Sequence, residues 1–409
     1  MGHLVGGISS AGRALPMLDG LPFLSGRSFG AHIWDVERKR YIDTALGFGA
    51  TLIGHAHPAV VEAATRALAN GSMPAFAHAG EEEAAARLSE TTGDLSRVIF
   101  TNTGSEAVHL ACRLARAATG RTLVAKVAAG FDGWYDDVAF GNAGSDDALM
   151  LSNTRPLRGR TTLLRFNDRQ DIDNLFAENA DIAAVLIEPM LANAGCIRPA
   201  PGYLEHVYET ARRHGALVIS DEVLMGFRVA FGLASHAAGL RPDIAVVGKA
   251  IGSGLPVAAV LGTPDVMMLC ERGEVVRAGT YSGNPVATAA VSATMTILKE
   301  VDYPGLLARG DGLRSRIVHA FAEGAGVQLS TSGFGSVFTI WFHAEEPTTY
   351  AEAAARARAD CTLKLHLEAR RRALLLMPQP YGRVYLSTTH DASVLDDMVG
   401  IFDDVARIF

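Results

Sequence analysis

Two ionisable residues in this 409-residue chain stand where chemistry would need them. The stretch from Ala216 to Pro256 reads ALVISDEVLMGFRVAFGLASHAAGLRPDIAVVGKAIGSGLP. One short apolar run, Ala216 to Ser220, ends in Asp221 and Glu222; a second, Ile244 to Gly248, ends in Lys249 and a glycine-rich turn. Both runs have the length and β-branched content of buried parallel strands, polar only at their C-terminal ends. In an open α/β sheet that edge is where ligands bind. Lysine and aspartate are seldom fully buried. A lysine in apolar surroundings loses proton affinity and becomes a nucleophile able to form a Schiff base. Taken singly, Asp221 could cap a helix and Lys249 could snorkel from a strand end.

A third feature joins them. RVIFTNTGSEAVHLACRLARAATG at 97–120 reads as a strand, a turn of small residues and a helix. Thr103, Gly104 and Ser105 would present amides and hydroxyls at the helix N-terminus, a natural phosphate site. An ordinary N-cap without a ligand is the alternative. No Walker lysine motif or GxGxxG fingerprint lies nearby, which weakens the nucleotide readings. An amine, an acid and a phosphate cradle together suit pyridoxal 5'-phosphate, whose protonated pyridine ring acts as an electron sink.

The segments DEVLMGFRV, GKAIGSGLP and GTYSGNP (279–285) resemble the signature of the class III aminotransferases, fold-type-I pyridoxal-phosphate enzymes. The resemblance runs from Gly6 to about Asp397 and is greatest to the glutamate-1-semialdehyde aminomutase branch. It implies that Lys249 holds the cofactor and then moves the substrate proton, and that Asp221 keeps the pyridine nitrogen protonated. Thr103, Gly104 and Ser105 would hold the phosphate. Phe131, in AGFDGW at 129–134, would stack on the ring, with Val223 on the opposite face. The family pattern there is GxYHG, so Phe131 replaces a tyrosine and Asp132 a histidine. In AAVLIEPMLANAGC (183–196), Asn193 would bond the cofactor's 3-hydroxyl, with Glu188 behind it. Thr280 would reach the phosphate of the neighbouring subunit, which implies a homodimer with shared sites.

On the substrate side, Arg13 in GGISSAGRAL resembles the arginine of GGVNSPVRAF, which holds a substrate carboxylate; a planar guanidinium suits that task. Phe48 stands where the aminomutases have tryptophan, and Tyr281 where the family usually has leucine. In MPQPYGRVYLSTTH (377–390) Gly382 replaces a substrate-facing glutamate and Arg383 follows it. With Asp132, these positions suggest a remade substrate pocket.

The elements that must position these residues follow from the resemblance and from length. The expected fold is α/β, the fold-type-I transferase architecture. Its large α/β domain with a mostly parallel sheet is expected over 51–303. A smaller α+β domain would combine the arm and hairpin of 1–50 with 304–409. Residues 1–30 read as an extended arm, HIWDVERKRYID as a hairpin and 141–160 as a surface loop. The helix opening at Pro58 should bury Val60, Ala64, Ala67 and Leu68. His55 and His57 have no evident third ligand, so no metal site is expected. A net charge of −7 argues against nucleic acid or an anionic membrane as partner. Four scattered cysteines suit a reducing compartment. The opening residues lack a cationic region followed by an apolar core, so the cytoplasm is the expected location.

Three function classes follow. The first is an aminotransferase with a small-molecule amino donor and keto acceptor, one bearing a carboxylate: a β- or ω-amino acid or a cyclic keto acid. The second is an aminomutase making 5-aminolevulinate from glutamate-1-semialdehyde. The third, a non-catalytic relative, is disfavoured by the retention of Lys249, Asp221, Phe131 and Thr280.

Overall fold

A computed structural model describes residues 2–151 and 155–409. Three sheets organise the chain. β1 (Ser25–Phe29), β2 (His32–Asp35) and β3 (Arg40–Asp43) form an antiparallel meander near the N-terminus. The central sheet takes β4 (Arg97–Thr101), β5 (Leu123–Val127), β6 (Leu157–Arg158), β7 (Thr161–Leu164), β8 (Ile182–Ile187), β9 (Leu217–Glu222), β10 (Ile244–Val247) and β11 (Ala258–Gly262). Its spatial order is β4-β11-β10-β9-β8-β5-β7-β6. β12 (Ser330–Phe334), β13 (Val337–Trp341) and β15 (Arg383–Tyr385) make the third sheet. The two residues of β14 (Leu374–Leu375) pair in parallel with β3, which ties the C-terminal part of the chain to the N-terminal meander.

The central sheet decides where chemistry can sit. β7, β5, β8, β9 and β10 are mutually parallel. β11 runs against both β10 and β4, so β4 again points the same way as the parallel strands. The C-terminal ends of β4, β5, β8, β9 and β10 therefore open on one edge. The loops that follow them carry Thr103–Ser105, Phe131–Asp132, Glu188–Asn193, Val223 and Lys249. β8 and β10 are buried throughout, as strands covered by helices on both faces must be. The helix Gly104–Thr119 covers one face through Ala107, Val108, Ala111, Leu114 and Ala115. On the other, β10 and β11 turn Ala245, Val247, Ala259 and Leu261 toward the helix Pro285–Lys299.

Several local expectations change. The arm is not simply extended: it has short helical turns at Val5–Gly7 and Ala11–Arg13, and its end pairs as β1. Within 141–160 a short helix, Asp146–Leu149, and β6 interrupt the loop, while Ser152 to Thr154 lie outside the described residues. The helix Pro58–Ala69 buries Val60, but Leu68 is 60% exposed, so its apolar face does not all point inward.

Candidate active site

Asp221 and Glu222 are adjacent, so strand pleating sends their side chains to opposite faces of the sheet. Glu222 is fully committed: it accepts the Ala234 and Ser235 amides at 2.9 and 2.8 Å and the Ser220 hydroxyl at 3.1 Å. Asp221 accepts one bond, from the Val223 amide to Oδ1 at 2.9 Å. That difference selects Asp221 as the acid free to meet a ligand. Burial, then the neighbouring charge of Asp132, pushes its carboxyl up to about 7. A cation placed on it would restore the carboxylate.

Lys249 lies just past the end of β10, whose Val246 and Val247 pair in register with Asp221 and Glu222. Its φ of 43° is left-handed, a strained conformation for a residue with a side chain and one that clusters at functional sites. Among the described residues its amine has no hydrogen bond or ion pair within reach. Burial pulls that amine down to about 8, with Arg383 adding to the effect and Asp221 and Glu188 opposing it. An unpaired, easily deprotonated lysine is what covalent capture of an aldehyde requires.

The candidate phosphate loop is built by a capping box. The Thr103 hydroxyl accepts the Glu106 amide at 3.2 Å, while Glu106 Oε2 accepts the amides of Asn102 at 2.7 Å and Thr103 at 3.1 Å. Thr103 is thus largely occupied in stopping the helix, and the unused donors of the first turn belong to Gly104 and Ser105. Glycines let the neighbouring loops close on them. A Cβ on Gly104 would stand 3.1 Å from Val223 Cγ2, and one on Gly248 3.4 Å from Val223 Cγ1. Gly133, at a φ of 126°, brings the loop of Phe131 against Ser105, where a Cβ would meet Oγ at 2.9 Å. Phosphate donors, Val223, the Phe131 loop, Asp221 and Lys249 are therefore continuous. This donor set fits pyridoxal phosphate: free amides for an anion, an open carboxylate for a ring nitrogen, and a free amine for an aldehyde.

Asp132 is placed differently from the expectation. It is buried and sits against Lys126, with Nζ to Oδ2 at 3.3 Å, on a patch that also reaches Glu188 and Asp221. It belongs under the site with those acids and does not line the substrate entrance. Lys126 is the residue the sequence reading missed. A lysine inside the apolar run LVAKVAAG was the available signal, because such a charge needs a partner. Asn193 is half-buried on the loop after β8.

Gly382 also needs correction as a substrate contact. A Cβ there would meet the carbonyls of Met377 at 2.7 Å and Gln379 at 2.9 Å, so glycine serves a tight turn and opens no space toward a ligand. The next residue, Arg383, carries the charge: its Nε donates to the Tyr385 hydroxyl at 2.6 Å, and its field reaches both Lys249 and Glu188. Among the described residues no carboxylate lies within ion-pair distance of it. Phe48, at a φ of 59°, packs under the arm, where a Cβ on Gly12 would lie 3.6 Å from its ring. Arg13 is exposed beside it. Thr280 and Tyr281 are exposed on the turn before the helix Pro285–Lys299.

Residues 18–323 match the family model described as aminotransferase class III. The chain belongs to the class III aminotransferases. An omega-transaminase from Sphaerobacter thermophilus superposes with a TM-score of 0.89 at 28% identity, covering 99% of this chain and 94% of that one. A β-phenylalanine aminotransferase from Variovorax paradoxus gives 0.87 at 27%, covering 98% and 90%. A glutamate-1-semialdehyde aminomutase from Pseudomonas aeruginosa PAO1 gives 0.83 at 25%, covering 95% and 88%. The fold is that of the fold-type-I pyridoxal-phosphate transferases. The cofactor of this aminotransferase is pyridoxal phosphate, as expected from Lys249 and the phosphate loop; similar structures carry pyridoxal or pyridoxamine phosphate. No helix among the described residues is long and apolar enough to cross a membrane.

Proposed function

We propose that this aminotransferase moves an amino group between a β- or ω-amino acid and a keto acid, recognising the carboxylate of its substrate. The observation that carries the reading is Arg383, a guanidinium whose field reaches Lys249 and which, among the described residues, has no carboxylate within ion-pair distance. An Arg fork in that situation suits a ligand carboxylate. Arg13, exposed on the arm next to Gly12, which packs on Phe48, supplies a second cation for a substrate carboxylate. The β-phenylalanine and omega-transaminase relatives support an amine away from the carboxylate.

In this reading each residue has a task. Gly104 and Ser105 donate to the phosphate, and Thr280 reaches the phosphate of a second subunit. Phe131 and Val223 enclose the ring from two sides, and Asn193 bonds its 3-hydroxyl. When bound, pyridoxal phosphate supplies the electron sink for exchanging an amine with a carbonyl. Asp221 carries the negative charge toward the ring nitrogen. Lys249 holds the aldehyde carbon and then takes the proton from the substrate carbon that bears nitrogen. A depressed amine serves that step because it is free above about pH 8, well below the range of an ordinary lysine.

A homodimer is part of the proposal. Phe76 is 83% exposed, Trp134 77% and Tyr281 62%, the kind of exposed aromatic surface that marks an association face. The four cysteines are free, which favours the reducing cytoplasm.

The second reading, an aminomutase, draws on the P. aeruginosa relative and on the arm with Arg13. One experiment separates the two. A panel of β-, ω- and α-amino acids is mixed with holoenzyme, and conversion of pyridoxal to pyridoxamine phosphate is followed spectroscopically. Rapid conversion by β- or ω-amino acids supports the first reading; no conversion by the panel, with glutamate-1-semialdehyde turned over instead, would reverse it.

A further inference from the structure

Lys126, the fourth residue of β5, has no solvent exposure. Its ammonium lies within hydrogen-bond distance of the carbonyls of Gly130 at 3.1 Å, Val138 at 3.0 Å and Phe140 at 3.1 Å and of Asn142 Oδ1 at 3.0 Å, so three protons serve four acceptors. Asp132 Oδ2 stands 3.3 Å away as its single carboxylate. Across from it, Glu188 closes the end of β8. Asp132 Oδ2 and Glu188 Oε1 are both buried without a hydrogen-bond partner among the described residues. Both border the space beside Gly130, where a Cβ would meet the first at 3.3 Å and the second at 3.4 Å. Two buried carboxylates facing one small space are costly to ionise together, so a single proton on the pair relieves the repulsion and turns an unpartnered oxygen into a donor.

We propose that Asp132 and Glu188 hold one proton between them, the charge staying on Asp132 opposite Lys126 and the proton on Glu188, so that Asp221 alone carries charge toward the cofactor. Glu188 and Asp132 are thus positioning residues, acting through Asp221. The surrounding groups agree with this assignment. Around Glu188 lie Asp221, Lys249, Arg383 and the neutral thiol of Cys196; around Asp132 lie Lys126, the thiol of Cys112 and the Tyr135 phenol. Burial, with the charges of Asp132 and Asp221, holds the Glu188 carboxyl well above its ordinary range. The aspartate where the related pattern has histidine is also explained. With Lys126 fixed beneath, a cation at 132 would face a cation, whereas a carboxylate completes it.

The cofactor part rests on Asp221 meeting the ring, so one arm of the test avoids the cofactor. In apo-protein, a carboxyl raised by folding contributes stability that is full below its unfolded value and fades as pH rises toward its folded one. Each such proton lowers the folding constant about tenfold per pH unit in that window. Glu188→Gln should therefore flatten the fall between about pH 5 and 7 by one such factor. An unchanged slope overturns the proposal. The second arm is infrared spectroscopy of the holoenzyme at about pH 7.5, well above an ordinary glutamate titration. The carbonyl band of a protonated carboxylic acid should be present in wild type, absent in Glu188→Gln, and shifted in frequency in Asp132→Asn, where the neighbouring charge is lost although Glu188 is intact. A band missing from wild type, surviving Glu188→Gln, or unmoved by Asp132→Asn overturns the proposal. A purely packing role would lower thermal stability in these variants and leave slope and band unmoved.

Discussion

Arg383 donates through Nε to the Tyr385 hydroxyl at 2.6 Å, and its guanidinium lies 5.9 Å from the centre of the same ring. The ring's other neighbour is Arg228, 5.4 Å away, fully buried and bonded to the carbonyls of Gly49 and Leu224. One tyrosine thus separates two guanidinium groups, and both depress the amine of Lys249. The loop of Phe48 closes onto this stack without a side chain at Gly49, where a Cβ would meet Tyr385 at 2.9 Å and Arg228 at 3.0 Å.

The first prediction concerns that arrangement. Arg383→Ala should raise KM for the carboxylate-bearing substrate about ten- to a hundredfold, the loss of a charge-assisted bond of about 1.5–3 kcal/mol. Neutral amines should be affected far less. Arg13→Ala should show the same selectivity. Steady-state kinetics on matched acidic and neutral amines measures both, and equal effects on the two substrate classes would remove the arginines from carboxylate recognition.

The second prediction uses the two ligand-free charges. Asp221 is raised by folding to about 7, so its contribution to apo-protein stability is complete below the unfolded aspartate value and fades as pH climbs to about 7. Lys249 is lowered to about 8, so folding regains stability as pH rises from about 8 toward its unfolded value near 10.5. Denaturation midpoints across pH should trace a shallow trough at pH 7–8. Asp221→Asn should flatten its acid side, since the amide oxygen can still accept the Val223 N–H, and Lys249→Ala its alkaline side. In holoenzyme the same Asn variant should cut turnover by orders of magnitude. Lys249→Ala should lose the borohydride-trapped pyridoxyl adduct. Near-normal turnover in Asp221→Asn would sink its assigned role.

The candidate pair was legible because two apolar strands, one ending in an acid and one in a lysine, have little structural use for either charge. The choice of Asp221 over Glu222 came from the resemblance; that Glu222 spends its oxygens on Ala234 and Ser235 is a tertiary fact absent from the local pattern. Asp132 was misread because its partner, Lys126, is a strand residue whose charge meets it only after the chain turns at Gly130. Gly382 was expected among the substrate contacts, yet it marks two carbonyls crowding a turn, which a missing side chain does not reveal in a sequence. The periodicity of Pro58–Ala69 gave the helix but not its surroundings. Val61 and Leu68 are exposed like Phe76 nearby, and pattern alone cannot distinguish a core from an interface between chains.

The proposed homodimer yields the third prediction. Thr280 makes no side-chain hydrogen bond among the described residues and sits exposed at the turn preceding the helix Pro285–Lys299. If it completes the phosphate site of a second subunit, Thr280→Ala should weaken cofactor retention about tenfold, roughly the 1.5 kcal/mol of one hydrogen bond to an anion. Dialysis against cofactor-free buffer reads the loss, and sedimentation should report a dimer for both proteins. A stable, active monomer would end the shared-site argument.

The last prediction is that glutamate-1-semialdehyde is a poor substrate. The aminomutase pattern to which the segment 377–390 is similar carries a glutamate facing the substrate, and this chain has Gly382 there. The glycine cannot be read as extra room, since the Met377 and Gln379 carbonyls fill the position a Cβ would take. What changes is charge. The residue that reaches toward Lys249 from this turn is Arg383, so a substrate ammonium loses an anionic partner and gains a cationic neighbour. Loss of one charge-assisted bond is about 1.5–3 kcal/mol, or roughly one to two orders of magnitude in kcat/KM. Repulsion from Arg383 acts in the same direction, whereas a carboxylate at the same place would be held. Phe48 in place of tryptophan alters the wall beside the arm without restoring an anion. Arg383→Glu should therefore improve turnover of the semialdehyde while impairing that of carboxylate substrates, a reversal that a merely destabilised site would not give. Efficient conversion to 5-aminolevulinate by the wild-type pyridoxamine form, with no added donor, would refute the charge argument and establish the aminomutase reading.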